Sequence, residues 1–316
     1  MIVRWGLGEL PRVLDEVGVA RPLLVASPRW DRLELPAAAR WREIPSHRIE
    51  VGGDVDGILA VGGGSAIDTA KAASAGSGLA LVSVPTTYAG AEWPSMFGVR
   101  DPSRRIVGGG AGARPVGIVY DVDLTLDLPR AESGGTALNA LAHCAEALYV
   151  TGRNEAADRE ALAGARLISE WLPRVLADGS DREARTHLLE GAMRAGSALA
   201  GAGLGLGHAM AQALGGRYGL PHGAMNALCL PAALRFNLPV AGAEIARLGE
   251  AMGTEDPIGR VEELGQLGGF TRLRELGVPE DELQEVAEAA AARAGARANP
   301  RSASPAEIAE LLRSIW

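Results

Sequence analysis

The sequence predicts an α/β domain followed by a domain built only from helices. An apolar run at 57–61 leads through three glycines into an alanine-rich segment, which is the order of a buried strand, a tight turn and a helix. Further strand-like runs recur as far as Asp121, whereas no strand pattern of any length follows residue 128. We therefore expect an α/β domain at 1–128 and an all-helical domain at 129–316, without a long linker.

The composition excludes several classes of protein. The net charge of -8 argues against a nucleic-acid partner. No uninterrupted apolar run reaches the ~18 residues of a membrane span, and the first residues lack the pattern of a signal peptide. The two cysteines, Cys144 and Cys229, lie far apart in apolar surroundings. We expect them to be buried free thiols in a reducing compartment, the cytoplasm.

The first elements of the chain are a helix at 8–17 and a buried strand at 22–27. Ser27 and Arg29 follow the carboxyl end of that strand, where an open α/β sheet binds its ligands. Arg29 could contact an adenosine ribose or its 2′-phosphate, or it could be a surface arginine in a loop. The stretch 33–57 is irregular and too short for a full crossover helix.

The glycine turn is the strongest local signal. Gly62, Gly63 and Gly64 would let the backbone approach an anion closely, and the following helix N-terminus would offer free N–H groups. Ser65 could cap that helix or donate to the ligand. A tight turn without a ligand would have the same pattern. Lys71, at the end of this motif, is the only lysine among the 31 basic residues, which favours a specific role for its ammonium group.

The next strand, at 79–84, ends in hydroxyl-bearing residues, Thr86, Thr87 and Tyr88, that are placed to touch a ligand or to form a turn. A strand pair is expected within 104–121, with a turn at the glycines 108–110. The helices that follow are predicted at 131–150, 155–176, 181–203, 207–215, 231–236, 243–252, 259–267, 270–276, 280–294 and 305–315.

Three of the five histidines stand in suggestive places. Asn139 and His143 are four residues apart on one helix face, as are His208 and Gln212, and His222 follows a proline. Three imidazoles with one oxygen ligand would suit a divalent transition metal. The oxygen would come from a neutral amide, however, and a polar pocket without metal has the same pattern. His47 is expected at the surface and His187 in a structural position.

These residues resemble the iron-containing alcohol dehydrogenase superfamily, and within it the maleylacetate reductases. The resemblance rests on stretches that follow the family's order over nearly the whole chain, at 62–71, 85–92, 119–129, 139–149, 214–222 and 299–301. It implies the dehydroquinate synthase-like architecture of that superfamily, with an N-terminal dinucleotide-binding domain, a helical catalytic domain and the active site in the cleft between them.

The resemblance also implies roles for single residues. Gly62 to Ser65 would bind the pyrophosphate of NAD(H) or NADP(H), with Asp68 supporting the turn. Thr86, Thr87 and Tyr88 would line the cofactor. The positions of Asn139, His143, His208 and His222 hold Fe²⁺ or Zn²⁺ in metal-dependent members, where the first is an aspartate. The asparagine fits the maleylacetate reductase pattern, in which the metal is often dispensable.

Three functions remain open from the sequence. The leading one is an NAD(P)H-dependent reductase of a carboxylated enone such as maleylacetate, a step in aromatic compound breakdown. His143, His208, His222 or Tyr88 would stabilise the enolate or deliver the proton. The others are a metal-dependent alcohol dehydrogenase and a family member without redox activity. The third is motivated by Gln212, where the family usually has a histidine, and by the short N-terminal domain. A homodimer is expected from the relatives.

Overall fold

The structure, a computed structural model, describes every residue from Met1 to Trp316. The chain forms two compact units. The first, here called the sheet unit, comprises Met1–Thr87 and Ala91–Leu128, and the second, the helical unit, comprises Tyr88–Gly90 and Pro129–Trp316. No helix in either unit combines the length and apolar character that crossing a membrane requires.

The sheet unit is built on six parallel strands and two helices. These elements are β1 (Ile2–Trp5), α1 (Leu10–Glu16), β2 (Pro22–Ala26), β3 (Ala39–Trp41), β4 (Gly57–Gly62), α2 (Gly64–Ser77), β5 (Ala80–Pro85) and β8 (Arg114–Tyr120). The strands follow one another across the sheet in the order β1-β8-β5-β4-β2-β3. Every residue of β2 and β4 is buried, which is why both read as continuous apolar runs.

The strand order creates a switch point between β2 and β4. From β2 the chain first adds β3 on one side and then returns to add β4 and β5 on the other side. The two strands pair in register, Ala26 opposite Val61, so their carboxyl ends lie side by side. The segments that follow them diverge at this point, which is where sheets of this kind bind ligands.

A separate antiparallel hairpin joins β6 (Phe97–Arg100) to β7 (Ile106–Gly110), so the predicted turn at 108–110 is wrong. The chain reverses around Asp101, whose Oδ1 accepts hydrogen bonds from Ser103 Oγ and the Arg105 amide. One of these glycines has a steric role in β7. A Cβ at Gly109 would lie 2.8 Å from the carbonyl oxygen of Phe97, so a larger residue there would push the two strands apart.

The helical unit contains no strand, as the sequence predicts. One of its hydrophobic cores surrounds fully buried side chains such as Met210, Met225, Leu283 and Ile308. The helices are α3 (Arg130–Ala147), α4 (Glu155–Ala177), α5 (Arg182–Ala202), α6 (Leu206–Tyr218), α7 (His222–Met252), α8 (Pro257–Leu267), α9 (Leu283–Ala291), α10 (Ala294–Ala298) and α11 (Pro305–Ser314). The stretch predicted as a helix at 270–276 forms only a short 3₁₀ turn, Leu273–Leu276.

Helix α7 contains both helices that the sequence predicts at 231–236 and 243–252, and the kink that separates them lies at Ala241, between the two predicted ranges. Pro231 and Pro239 suggest breaks, yet the helix begins at His222 and continues through both prolines. The interruption is confined to a kink at Ala241, whose φ of -129° is not helical. A proline removes one hydrogen bond and bends a helix, and surrounding packing can hold the bent helix together.

Candidate active site

The glycine turn joins β4 to α2 and has the shape of a phosphate site. Gly62 has φ +150°, and its carbonyl oxygen accepts a hydrogen bond of 3.1 Å from the amide of Thr86, at the end of the neighbouring strand β5. A Cβ on Gly63 would lie 2.8 Å from Cγ2 of Thr87. The structure therefore brings the glycines together with Thr86 and Thr87, as the sequence predicts for a cofactor site.

The N-terminus of α2 carries no side-chain cap. Gly63 is the N-cap residue, and Ser65 lies inside the first turn, so the alternative in which Ser65 caps the helix is wrong. The first amides of a helix have no partner within the helix, and they point toward any anion that binds there. The turn, the free helix end and the Ser65 hydroxyl fit the pyrophosphate of a dinucleotide.

Ser27 and Arg29 lie directly after β2, across the switch point from the glycine turn. The exposed guanidinium of Arg29 donates to the carbonyl oxygen of Asp127 at 3.2 Å and lies 5.1 Å from the ring centroid of Trp30. Neither contact neutralises its charge, so Arg29 is placed to meet an anionic group at the adenosine end of a dinucleotide. Its role there stays a prediction.

Asp68 and Lys71 both contact the segment in which the hairpin begins. The amide of Gly98 donates to Asp68, and Lys71 Nζ donates to the carbonyl oxygen of Met96 at 3.0 Å. Burial raises the pKa of Asp68 and lowers the pKa of Lys71, which is 1% exposed. Both residues fasten α2 to the segment after β5. Support of the glycine turn by Asp68 stays a prediction, and the observed contact of Lys71 is a structural one.

The three histidines of the helical unit come from three helices and meet in its interior. His143 from α3 and His208 from α6 stack with their ring centroids 4.6 Å apart and an interplanar angle of 14°. His222, the first residue of α7, lies 5.8 Å from His208 with a tilted ring. His187 does not belong to this cluster, since it stacks on Trp171. The sequence-predicted set is thus assembled, and His187 has the structural position expected.

A buried carboxylate orients the central histidine. Glu146 has no exposed surface, and its oxygens accept hydrogen bonds from the amides of Gly205 and His208, at 2.7 and 3.1 Å. Oε2 of Glu146 lies 2.7 Å from Nδ1 of His208, and that contact places the proton of a neutral ring on Nδ1. Nε2 of His208 is buried and has no hydrogen-bond partner. His208 therefore presents one unsatisfied nitrogen in a fixed orientation.

An asparagine amide links two of the predicted metal ligands. Nδ2 of Asn226 donates to Oδ1 of Asn139 at 2.7 Å and lies 3.1 Å from Nε2 of His222. The Asn139 amide in turn donates to the carbonyl oxygen of Ala89 at 3.0 Å. Both atoms through which Asn139 and His222 would bind a cation therefore already contact an N–H₂ group.

The residues as arranged do not fit a metal ion. The Asn226 amide lies between Asn139 and His222, and the rings of His143 and His208 stack almost parallel instead of pointing at one centre. No group of three or more His, Cys, Asp or Glu side chains in the chain is arranged to hold an ion. The donor set also lacks the carboxylate that would attract a cation.

Tyr88, predicted as a cofactor contact and proton donor, is fully buried in the helical unit. Its hydroxyl hydrogen-bonds Nη1 of Arg185 at 3.0 Å, and its backbone amide lies 3.3 Å from Oγ1 of Thr136. Arg185 is itself 1% exposed, and its Nη1 also contacts Ser133. Tyr88 thus joins the segment 88–90 to the helices, and its catalytic role stays a prediction.

The sequence prediction missed Glu146 and Asn226. Their spacing from a histidine is a signal that the sequence does contain. Glu146 follows His143 by three residues in α3, and Asn226 follows His222 by four in α7. Such spacings place side chains on the same face of a helix. What the spacing could not reveal is that Glu146 bonds the histidine of a different helix.

Two family models match the chain. The model for the C-terminal part of the Fe-containing alcohol dehydrogenase family covers residues 134–316, and the model for iron-containing alcohol dehydrogenase covers residues 48–115.

Individual relatives agree with the family match. The chain is 34% identical to maleylacetate reductase 1 of Cupriavidus pinatubonensis over 86% of its own length and 82% of the relative's. A crystal structure of maleylacetate reductase from Agrobacterium tumefaciens superposes with a TM-score of 0.86 at 28% identity, over 100% of this chain and 95% of that one. An iron-containing alcohol dehydrogenase from Corynebacterium glutamicum gives a TM-score of 0.87 at 28% identity, over 100% and 94% of the two chains.

Proposed function

Because the chain belongs to the iron-containing alcohol dehydrogenase family, we propose that it is an NAD(P)H-dependent reductase of maleylacetate or a similar carboxylated enone. The observation that carries the proposal is the His208–Glu146 pair, with one oriented imidazole nitrogen left unsatisfied. Several maleylacetate reductases at 30–37% identity support the substrate class.

We assign the nucleotide to the sheet unit. The glycine turn, the uncapped N-terminus of α2, and Thr86 and Thr87 would hold the pyrophosphate, and Ser27 and Arg29 would lie toward the adenosine. A bound NADH or NADPH supplies a hydride to the substrate. Arg29 accepts either nucleotide in this arrangement, so the preference between NADH and NADPH is a matter for titration with both.

The helical unit would supply the acid. Hydride addition to the alkene carbon β to the ketone moves negative charge to the ketone oxygen, and a proton must then reach the neighbouring carbon. The imidazoles of His143, His208 and His222 can donate hydrogen bonds to that enolate oxygen through a protonated nitrogen. The carboxylate of Glu146 orients the ring of His208 and can stabilise its doubly protonated form, in which Nε2 carries a proton, so we assign the proton-transfer step to His208 in that form.

The residues as arranged do not fit a metal ion, and no step of this proposal requires one. The decisive assay is the loss of NADH absorbance with maleylacetate in the presence of a strong chelator. We expect turnover under chelation. Activity that appears only when Fe²⁺ or Zn²⁺ is added would instead favour the metal-dependent alcohol dehydrogenase, and would mean that Asn226 moves aside.

Two variants separate the histidine cluster from general damage. His208→Asn removes the proposed acid and should lower kcat by about 100-fold or more. His187→Asn removes a histidine that stacks on Trp171, in the same unit, and should leave kcat unchanged. Wild-type protein that binds neither NADH nor NADPH would exclude both dehydrogenase functions and favour a non-redox member. We also expect a homodimer, which light scattering after size-exclusion chromatography measures directly.

A further inference from the structure

An arginine outside the histidine cluster lies against the same helix. Arg293 immediately precedes α10, which packs on the start of α6 so closely that a Cβ on Gly295 would overlap the carbonyl oxygen of Gly205. Nη1 of Arg293 lies 3.5 Å from Oε1 of Gln212. Gln212 follows His208 by one helical turn of α6, so the guanidinium lies on the His208 face of that helix.

The charge of Arg293 has no anionic partner within the protein. It forms no ion pair, and its buried Nε lacks a hydrogen-bond partner. Burial lowers the pKa of Arg293, and no neighbouring carboxylate counteracts this effect. Arg217, on the last turn of the same helix α6, instead contacts both Glu282 and Glu285.

A half-buried cation without an anion is costly, because desolvation is not offset by a charge partner. The arginine fork is also the side chain best suited to bind a carboxylate through two parallel hydrogen bonds. Gln212 contributes to the arrangement, since its carbonyl oxygen can accept from one arm of the guanidinium and leaves the charge of Arg293 unpaired.

We propose that Arg293 binds a carboxylate group of the substrate and thereby selects carboxylated compounds for the histidine site. The inference rests on the proposed function, because it names the residue that recognises the substrate class. Arg293 binds the anion, and His208, one turn along α6, acts on the same molecule.

The test compares Arg293→Gln with Arg297→Gln. Arg297 is an exposed arginine four residues later whose guanidinium donates to the carbonyl oxygen of Ala292, so its removal changes the net charge equally. Calorimetric titration of the NADH-loaded enzyme with maleate, an unreactive dicarboxylate, measures anion binding without turnover. The KM and kcat for maleylacetate are measured in parallel.

We expect Arg293→Gln to raise both the maleate Kd and the maleylacetate KM by about 10- to 100-fold, with kcat within about threefold of wild type. Arg293→Lys keeps the charge without the fork and should recover part of the loss. Arg297→Gln should match wild type in every respect.

Two results would overturn the inference: equal maleate binding in wild type and Arg293→Gln, or no maleate binding in the wild type. Failure of the proposed function looks different. In that case the wild type binds maleate but does not reduce maleylacetate, and the assignment of Arg293 is still decided by the maleate comparison between the variants.

Discussion

Oε2 of Glu146 and Nδ1 of His208 lie 2.7 Å apart, and neither side chain has more than 1% of its surface exposed. The pair joins α3 to α6, so that a residue on one helix sets the tautomer of a ring on another. This arrangement leaves Nε2 as the nitrogen available to a reacting group.

Replacing Glu146 should therefore reduce catalysis without removing the histidine. Glu146→Gln removes the negative charge that stabilises the doubly protonated ring, and its amide can donate to Nδ1 and reverse the tautomer of the neutral ring, so we expect kcat to fall about 10- to 100-fold. Nitrogen-15 NMR of labelled histidine reads the tautomer directly. Glu160→Gln, which removes a partly exposed carboxylate facing Arg194, should change neither the tautomer nor kcat. An unchanged tautomer with normal kcat in Glu146→Gln would refute the orienting role.

A second prediction concerns the glycine turn. Gly63→Ala places a Cβ 2.8 Å from Cγ2 of Thr87 and should raise the Kd of NADH about tenfold or more, because the backbone must move away from the phosphates. Gly76→Ala, in the same helix but with open space around it, should leave the Kd unchanged and stabilise the fold by about 0.5 kcal/mol. Fluorescence titration with NADH measures the first effect and urea unfolding the second. Similar Kd values for both variants would contradict a phosphate site here.

A third prediction links stability to pH through Glu92. This carboxyl accepts a hydrogen bond of 2.6 Å from the hydroxyl of Tyr120, and burial raises its pKa above the ordinary value of 4.5. Between 4.5 and that raised pKa the folded chain holds a proton that the unfolded chain has lost. The free energy of unfolding contributed by Glu92 is thus fully present below pH 4.5 and declines as the pH rises through the raised value.

Glu92→Gln should flatten that decline in urea unfolding curves recorded from about pH 4 to pH 8. Glu310→Gln, which alters an exposed carboxyl on α11, should leave the wild-type profile intact. Parallel profiles for wild type and Glu92→Gln would show that Glu92 is not buried as described.

A fourth prediction tests the amide link between Asn139 and Asn226. Asn139→Asp keeps the acceptor for Asn226 but sets a carboxylate oxygen against the carbonyl oxygen of Ala89, and should lower the free energy of unfolding by about 1–3 kcal/mol. Added Zn²⁺ should reverse this loss, because the carboxylate supplies the charge that the wild-type cluster lacks. The thermal midpoint with and without Zn²⁺ reports both effects.

The control is Asn299→Asp. Asn299 forms a comparable buried amide pair with Asn237, in which each Nδ2 donates to the other residue's Oδ1, at 2.7 and 2.9 Å. The loss of stability in Asn299→Asp should not be reversed by Zn²⁺. Equal responses of the two variants to Zn²⁺ would indicate nonspecific binding of the ion.

The residues that the sequence predicted well are those whose local pattern is sufficient. The run 57–61 is buried on both faces of the sheet and needs no other signal. Strand β1 was not predicted, because four residues at the edge of a sheet, one of them Arg4, carry too short a pattern, and pairing with β8 decides their structure. The start of helix α7 differs from the prediction, since the helix begins at His222 and continues through Pro231, and the effect of a proline depends on its surroundings.

In the site, too, the sequence predicts what lies on one helix but not how two helices pack against each other. Helical spacing indicated that Asn139 and His143 share a face, but the stacking of His143 on His208 depends on how α3 and α6 pack. The sequence does not distinguish Arg293 from the 30 other basic residues, since its place beside Gln212 depends on the packing of α10 on α6.

The burial of Lys71 has a practical consequence for labelling chemistry. It is the only lysine, it is 1% exposed, and its amine donates to the carbonyl oxygen of Met96. Residues 1–316 therefore expose no ε-amine on the folded surface, so a succinimidyl ester finds no lysine side chain there to acylate. Coupling at Lys71 would require the contact between α2 and Met96 to open first.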